Sequence, residues 1–211
     1  MSPIGAFTFV LHSHMPYARL AGRWPHGEEW IHEAATETYI PLLQALYDLK
    51  HDGVNFKITI GITPILGEQL NDPLVLEHLE AYLDMRLAAA EKDIWYFAEN
   101  NGESSDNTAE ENAQLQHMAT WYKNWYGEVK TAFIDRFERD IIGAFKTLQD
   151  EGFIEIVTSA ATHSYLPLLG HDAVIGAQLK TGIRTHERLS GKKPTAIWLP
   201  ECAYRPAYID A

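Results

Sequence analysis

Cysteine is almost missing from this chain: Cys202 is the only one among 211 residues. That excludes a framework of internal disulfides and suits a reducing compartment. Basic residues are scarce as well. Against 29 aspartates and glutamates stand 17 lysines and arginines, a formal net charge of −12. Nucleic acid and anionic membranes both require a basic face, so neither is an expected partner. No stretch approaches the roughly 18 consecutive apolar residues of a membrane span. The N-terminal apolar run follows no basic segment and is broken by His12 and His14, which does not fit a secretory leader. There is no GxGxxG, no GxxxxGK[ST], no cysteine-based metal motif and no internal repeat. The expectation is an acidic, soluble, cytoplasmic protein with no resident metal or cofactor.

What is present is ordinary for a globular domain, with 46% hydrophobic and 22% charged residues. The length allows one domain with a sizeable core. Four short apolar runs, at 4–11, 55–62, 153–159 and 195–199, read as strands. Between them run helical periodicities. Leu42, Leu43, Leu46 and Leu49 mark a helix over 31–50, with Pro41 either kinking it or starting it afresh. Asp72 and Pro73 open another, and Thr108 with Glu111 forms a capping box ahead of a helical region reaching about 148. A last helix runs from an Asp172 cap to Ser190 and leaves at Gly191. Strands alternating with helices imply an α/β fold built of parallel βα units. Right-handed crossovers then bring all the strand tips to one side.

The residues just past those tips carry chemistry. His12 and His14, two apart, project to one face. They could bind a metal, hydrogen-bond a ligand or form a plain polar pair. His163 follows the third run, and Glu201 follows the fourth with Trp198 and Tyr204 on either side. A carboxylate at a strand tip among flat aromatic faces suits a sugar site, although Glu201 could equally cap a turn or pair with Arg205. Trp24 and Trp30 lie in the loop after the first run, as sugar platforms or as packing. Glu155, inside an apolar run, needs a partner if buried, and His12 or His14 could supply one. The i,i+4 pairs Trp121/Trp125, Tyr122/Tyr126, Phe133/Phe137 and Ile141/Phe145 read as helix packing.

Three blocks, WLPECAY at 198–204, HSHMPY at 12–17 and EIVTSAATHSYLPLL at 155–169, resemble glycoside hydrolase family 57, and within it the α-1,4-glucan branching enzymes. The resemblance covers essentially the whole chain. It implies the N-terminal part of an incomplete parallel (β/α)7-type barrel with inserted helices, the helical insertion falling at about 72–150. It implies retaining transfer on an α-glucan, with Glu201 as nucleophile, His12, His14 and His163 lining the donor-sugar subsite, and Trp24 touching substrate. The family's general acid is an aspartate on a later strand. Asp210 does not sit in that motif, so the chain is expected to lack its general acid and to be inactive alone.

Two rival readings stand beside this one. A metal-dependent polysaccharide deacetylase or α-mannosidase type of site could use His12, His14 and His163 as ligands, although no strand-end aspartate accompanies them. Alternatively the chain is a non-catalytic glucan-binding fragment, self-associating or pairing with a separate C-terminal part.

Overall fold

The computed structural model describes residues 4–22, 26–99 and 107–206. Its sheet has three parallel strands in the order β1-β2-β3: β1 (Val10–Ser13), β2 (Ile58–Ile62) and β3 (Ile154–Val157). His12 is aligned with Gly61 and Gly61 with Val157, while one pleat earlier Val10, Thr59 and Glu155 stand in a row. The segment expected as a fourth strand contributes a single bridge, Thr158 to Ile197. Trp198 N–H donates to the Thr158 carbonyl at 2.8 Å. Pro194 and Pro200 confine that segment, because a proline has no amide to extend a ladder.

The first strand lies later than its apolar residues suggest. Residues 4–9 form no strand, although the Phe9 carbonyl accepts from the Thr59 amide at 3.0 Å, and Ile4, Phe7 and Phe9 are exposed. The polar pair His12–Ser13 is paired instead.

Helices cover one face of the sheet. Ile60, Ile154 and Ile156 pack there with Leu43, Leu46, Ile141, Phe145 and Leu148 in one buried cluster. The crossover after β1 is α1 (Glu28–Ala34), a π-helical turn Ala35–Tyr39 and α2 (Ile40–His51). The widened turn answers the question posed by Pro41: the amide of Ile40 bonds back five residues to Ala35, and the helix runs on through the proline. Gly53, at φ 74°, turns the chain after α2.

After β2 come α3 (Pro64–Leu70) and α4 (Pro73–Glu99). Asp72 Oδ1 accepts from the Leu74 and Val75 amides at 3.0 and 3.2 Å, the expected cap. The Thr108/Glu111 capping box forms ahead of α5 (Ala109–Thr131), which packs along α4. The helical region expected to reach about 148 is made of more than one helix. A π turn, Ala132–Arg136, ends at Glu138 and Arg139, whose φ values of 50° and 61° reverse the chain into α6 (Ile141–Asp150). On α5, Tyr126 is buried and Trp125 half-buried, whereas Trp121 and Tyr122 are exposed.

The crossover after β3 is α7 (Asp172–Ser190), ended by Gly191 at φ 74°. Asp172 is its first helical residue rather than its cap, placing a negative charge in the first turn. Gly182 lets α7 press against the end of β3: a Cβ there would lie 2.3 Å from the Ser159 carbonyl oxygen. Among the described residues no helix is long and apolar enough to cross a membrane.

The other face of the sheet is exposed at Val10 and Glu155, whereas Gly61 and Val157, one pleat on, are buried. Glu155 lies on it, exposed, with Thr59 Oγ1 donating to one carboxylate oxygen at 3.2 Å and Thr195 Oγ1 to the other. The histidine partner expected for it is not used, since His12 sits one pleat further along, over Gly61.

Candidate active site

At the C-terminal ends of the strands five of the singled-out side chains meet. His12 belongs to β1 and His14 follows it. His163 stands in the turn after β3, and Trp198 and Glu201 follow the Ile197 bridge. His12 Nε2 lies 3.1 Å from His163 Nε2. On the other side of that ring, His163 Nδ1 is 3.5 Å from Glu201 Oε1. The His14 ring stacks on His163, centroids 3.8 Å apart and planes 16° apart. Trp198 stacks on His12 at 5.0 Å and 17°. A glycine beneath makes room for this: a Cβ on Gly61 would come within 3.1 Å of His12 Nδ1.

The hydrogens follow from what each partner can do. A carboxylate only accepts, so the nitrogen of His163 facing Glu201 carries the proton and its Nε2 is a lone pair. His12 therefore donates through Nε2, which leaves its Nδ1 an acceptor, and that atom is buried without a partner. Burial pulls the pKa of each of the three imidazoles down. The neighbouring imidazoles add to this, and Glu201 opposes it. His14 falls to about 4. All three are neutral at pH 7, so they line the site without placing positive charge beside a glycosyl cation.

Glu201 differs from its neighbours in being two-thirds exposed, whereas the His163 side chain is almost wholly buried. Its backbone is left-handed (φ 55°, ψ 24°), as are those of Cys202 (φ 55°) and His163 (φ 54°). Non-glycine residues avoid that region, and such strain gathers at functional sites.

Tyr204 does not join this group. It is exposed and lines an apolar cleft of about 410 Å³ with Leu166, Ile175, Leu179, Ile197 and Leu199, and no histidine borders it. Trp30, on α1, is exposed and meets His26 edge-on. Trp24 and Asp210 lie outside the described residues. Two further groups were not singled out from sequence. Ser159 Oγ donates to the Trp198 carbonyl at 2.8 Å, and Thr63 Oγ1 lies 3.2 Å from His14 Nδ1. Both stand just beyond a strand, the positional rule that pointed to Glu201.

The loop after β1 is tied down by buried polar groups. Gln69 accepts from the amides of Ala18 (2.7 Å) and Arg19 (3.2 Å) and donates to the carbonyls of Pro16 and Ile65. Glu28, 1% exposed, accepts from the Leu20 amide and pairs with His78. Burial pushes its carboxyl upward, but the Leu20 amide and His78 outweigh this and hold it below the usual range.

A metal reading fits these residues poorly. His12 and His163 aim nitrogens at one another, and His14 covers His163 face-on, so lone pairs do not converge on a point. Among the described residues no three His, Cys, Asp or Glu side chains are grouped as a metal ion requires.

Residues 8–211 match the family model described as glycosyl hydrolase family 57. The chain belongs to that family. A 1,4-alpha-glucan branching enzyme of Thermococcus kodakarensis is 45% identical over 96% of the chain, and a probable 1,4-alpha-glucan branching enzyme of Mycobacterium tuberculosis is 31% identical over 97%. The family 57 branching enzyme structure from Pyrococcus horikoshii superposes with a TM-score of 0.84 at 44% identity, covering 94% of this chain and 35% of that one. The alpha-amylase AmyC of Thermotoga maritima gives 0.79 at 30% identity, covering 96% and 37%. The chain thus spans only 28% and 39% of the lengths of the two curated relatives. With these family 57 neighbours, its three-stranded parallel sheet among helices is the N-terminal part of a (β/α)7-type barrel.

Proposed function

We propose that residues 1–211 are the N-terminal portion of the catalytic barrel of an α-1,4-glucan branching enzyme, with a helical insertion at about 72–150, acting in cytoplasmic glycogen-type metabolism. The observation that carries this reading is Glu201: an exposed carboxylate on a strained turn, 3.5 Å from the Nδ1 of a buried histidine. Glu201 attacks the anomeric carbon as the α-1,4 oxygen departs with a proton from a general acid, giving a glycosyl ester. A 6-hydroxyl of an acceptor glucan then attacks that carbon, returns the proton and frees Glu201 with the α configuration retained. His12, His14 and His163 line the donor-sugar subsite, with Trp198 and Trp24 as stacking faces. Tyr204 and its cleft serve a more distant sugar or the rest of the barrel. The general acid must stand about 5–5.5 Å from Glu201, and we assign it to chain beyond this stretch, which either continues from it or docks against it.

This division of labour makes the two steps separable. A 5-fluoroglucosyl fluoride has a leaving group that needs no proton, so it tests the nucleophile alone. Mass mapping after exposure of the 211-residue chain is expected to find one glycosyl adduct, on Glu201, that disappears in Glu201→Gln. An adduct on another carboxylate, or none on the folded chain, overturns the assignment. With amylose the same chain is expected to form no α-1,6 linkages detectable by proton NMR, and their appearance would overturn the assignment of the acid elsewhere.

A further inference from the structure

Thr63 is the first residue past β2 and the N-cap of α3. A threonine there ordinarily accepts a hydrogen bond from an amide two or three residues on. Thr63 makes no such bond. Its carbonyl accepts from Gly67 at 2.9 Å, as a cap should, but its hydroxyl is turned away from the helix, to 3.2 Å from His14 Nδ1. Its amide meanwhile donates to the carbonyl of Ser13 at 3.1 Å. Thr63 thus grips the end of β1 at two points: the backbone just before His14 and the imidazole itself. A helix has given up a favourable cap, and the group so released faces the site. Departures of this kind from local preference mark function.

We propose that Thr63 is the positioning residue of His14: its hydroxyl donates to Nδ1, fixes the tautomer with the proton on Nε2 and holds the ring flat against His163. The direction of the bond follows from burial. Thr63 is 0% exposed, and among the described residues no second partner of its hydroxyl is found. Were His14 Nδ1 the donor, the hydroxyl hydrogen would be buried without an acceptor, which costs more than the bond returns. With Thr63 donating, Nδ1 is a lone pair and Nε2–H is the donor that His14 can offer a ligand. On the reading that this mouth holds a sugar, Thr63 decides that His14 gives a hydrogen bond to a hydroxyl rather than receiving one.

The test is nitrogen NMR of the 211-residue chain labelled in its histidines, read first without sugar so that it judges Thr63 whatever the mouth binds. Proton on Nε2 and lone pair on Nδ1 are expected for His14 in the native chain and in Thr63→Ser. Thr63→Val, the same shape without the hydroxyl, is expected to show a mixture of tautomers. A proton on Nδ1 in the native chain overturns the proposal without any variant, and so does an unchanged His14 spectrum in Thr63→Val. Calorimetric titration with a maltooligosaccharide is then expected to show affinity reduced about three- to tenfold in Thr63→Val and restored in Thr63→Ser. Equal affinity of all three forms overturns the link to the ligand. Absence of binding to the native chain counts against the sugar reading, while the tautomers still judge Thr63.

Discussion

Around Glu201 the three imidazoles are held neutral, and that gives the fold a measurable dependence on pH. His12, His14 and His163, together with His186 on the buried side of α7, have pKa values lowered from 6.5, burial being the largest cause in each. Between pH 6.5 and about 4, where His14 falls, the unfolded chain binds protons that the folded chain refuses. Stability is therefore full above pH 6.5 and declines as pH falls through that window. The urea midpoint is expected to drop steadily from pH 7 to pH 5 and to drop less in His14→Gln. A flat or rising profile over that range would mean that the cluster is not held neutral. Glu28, lowered, adds its own loss only at more acid pH, below 4.5. His12, His14, His163 and Glu201 could be singled out in the sequence because each lies at the end of an apolar run or just past it. Thr63 and Ser159 could not, since a hydroxyl is defined by its neighbour and both neighbours are distant in the chain.

Among the elements, the strands carried the clearest pattern and the least certain ends. Pairing decides where a strand begins: of residues 4–9 the Phe9 carbonyl accepts from the Thr59 amide, but residue-to-residue pairing starts at Val10 and takes in His12. Caps were easier to read, as Asp72, Thr108 with Glu111 and Gly191 act locally. The break at Glu138 and Arg139 was hidden because neither residue type announces a left-handed backbone. The loop after β1 owes its shape to Gln69, which lies on α3 and is 1% exposed. Replacing it with leucine strands the buried Ala18 amide and is expected to destabilise the fold by roughly 1–3 kcal/mol. Trypsin reports the consequence locally. Cleavage after Arg19, which Asp72 also holds at 2.6 Å, is expected to be slow in the native chain and several-fold faster in Gln69→Leu, and equal rates would assign the loop's order to other contacts.

At the scale of the whole molecule, helices cover one face of the sheet, while the other is exposed at Val10 and Glu155 and buried only towards the strand tips, at Gly61 and Val157. Phe7, Phe9 and Val10 are exposed beside β1, whose outer edge is unpaired, and Ile197, Leu168 and Tyr204 are exposed at the far side. Uncovered apolar surface beside an open strand edge favours association. Light scattering is expected to give a mass above that of one chain, rising with concentration and reduced by Phe9→Lys, whereas a monomer at every concentration would show that the edge is harmless. The parallel α/β plan was legible from the alternation of runs and periodicities, but how much of the barrel stands uncovered was not, since that depends on surfaces no local pattern describes. The left-handed backbone at His163, Glu201 and Cys202 has a consequence for anyone improving this protein. Each such residue costs about 1–3 kcal/mol that glycine would recover, so variants selected for heat resistance alone will drift toward glycine at these positions and lose their chemistry. If Glu201 is the nucleophile proposed above, selection for robustness and selection for catalysis pull in opposite directions at position 201.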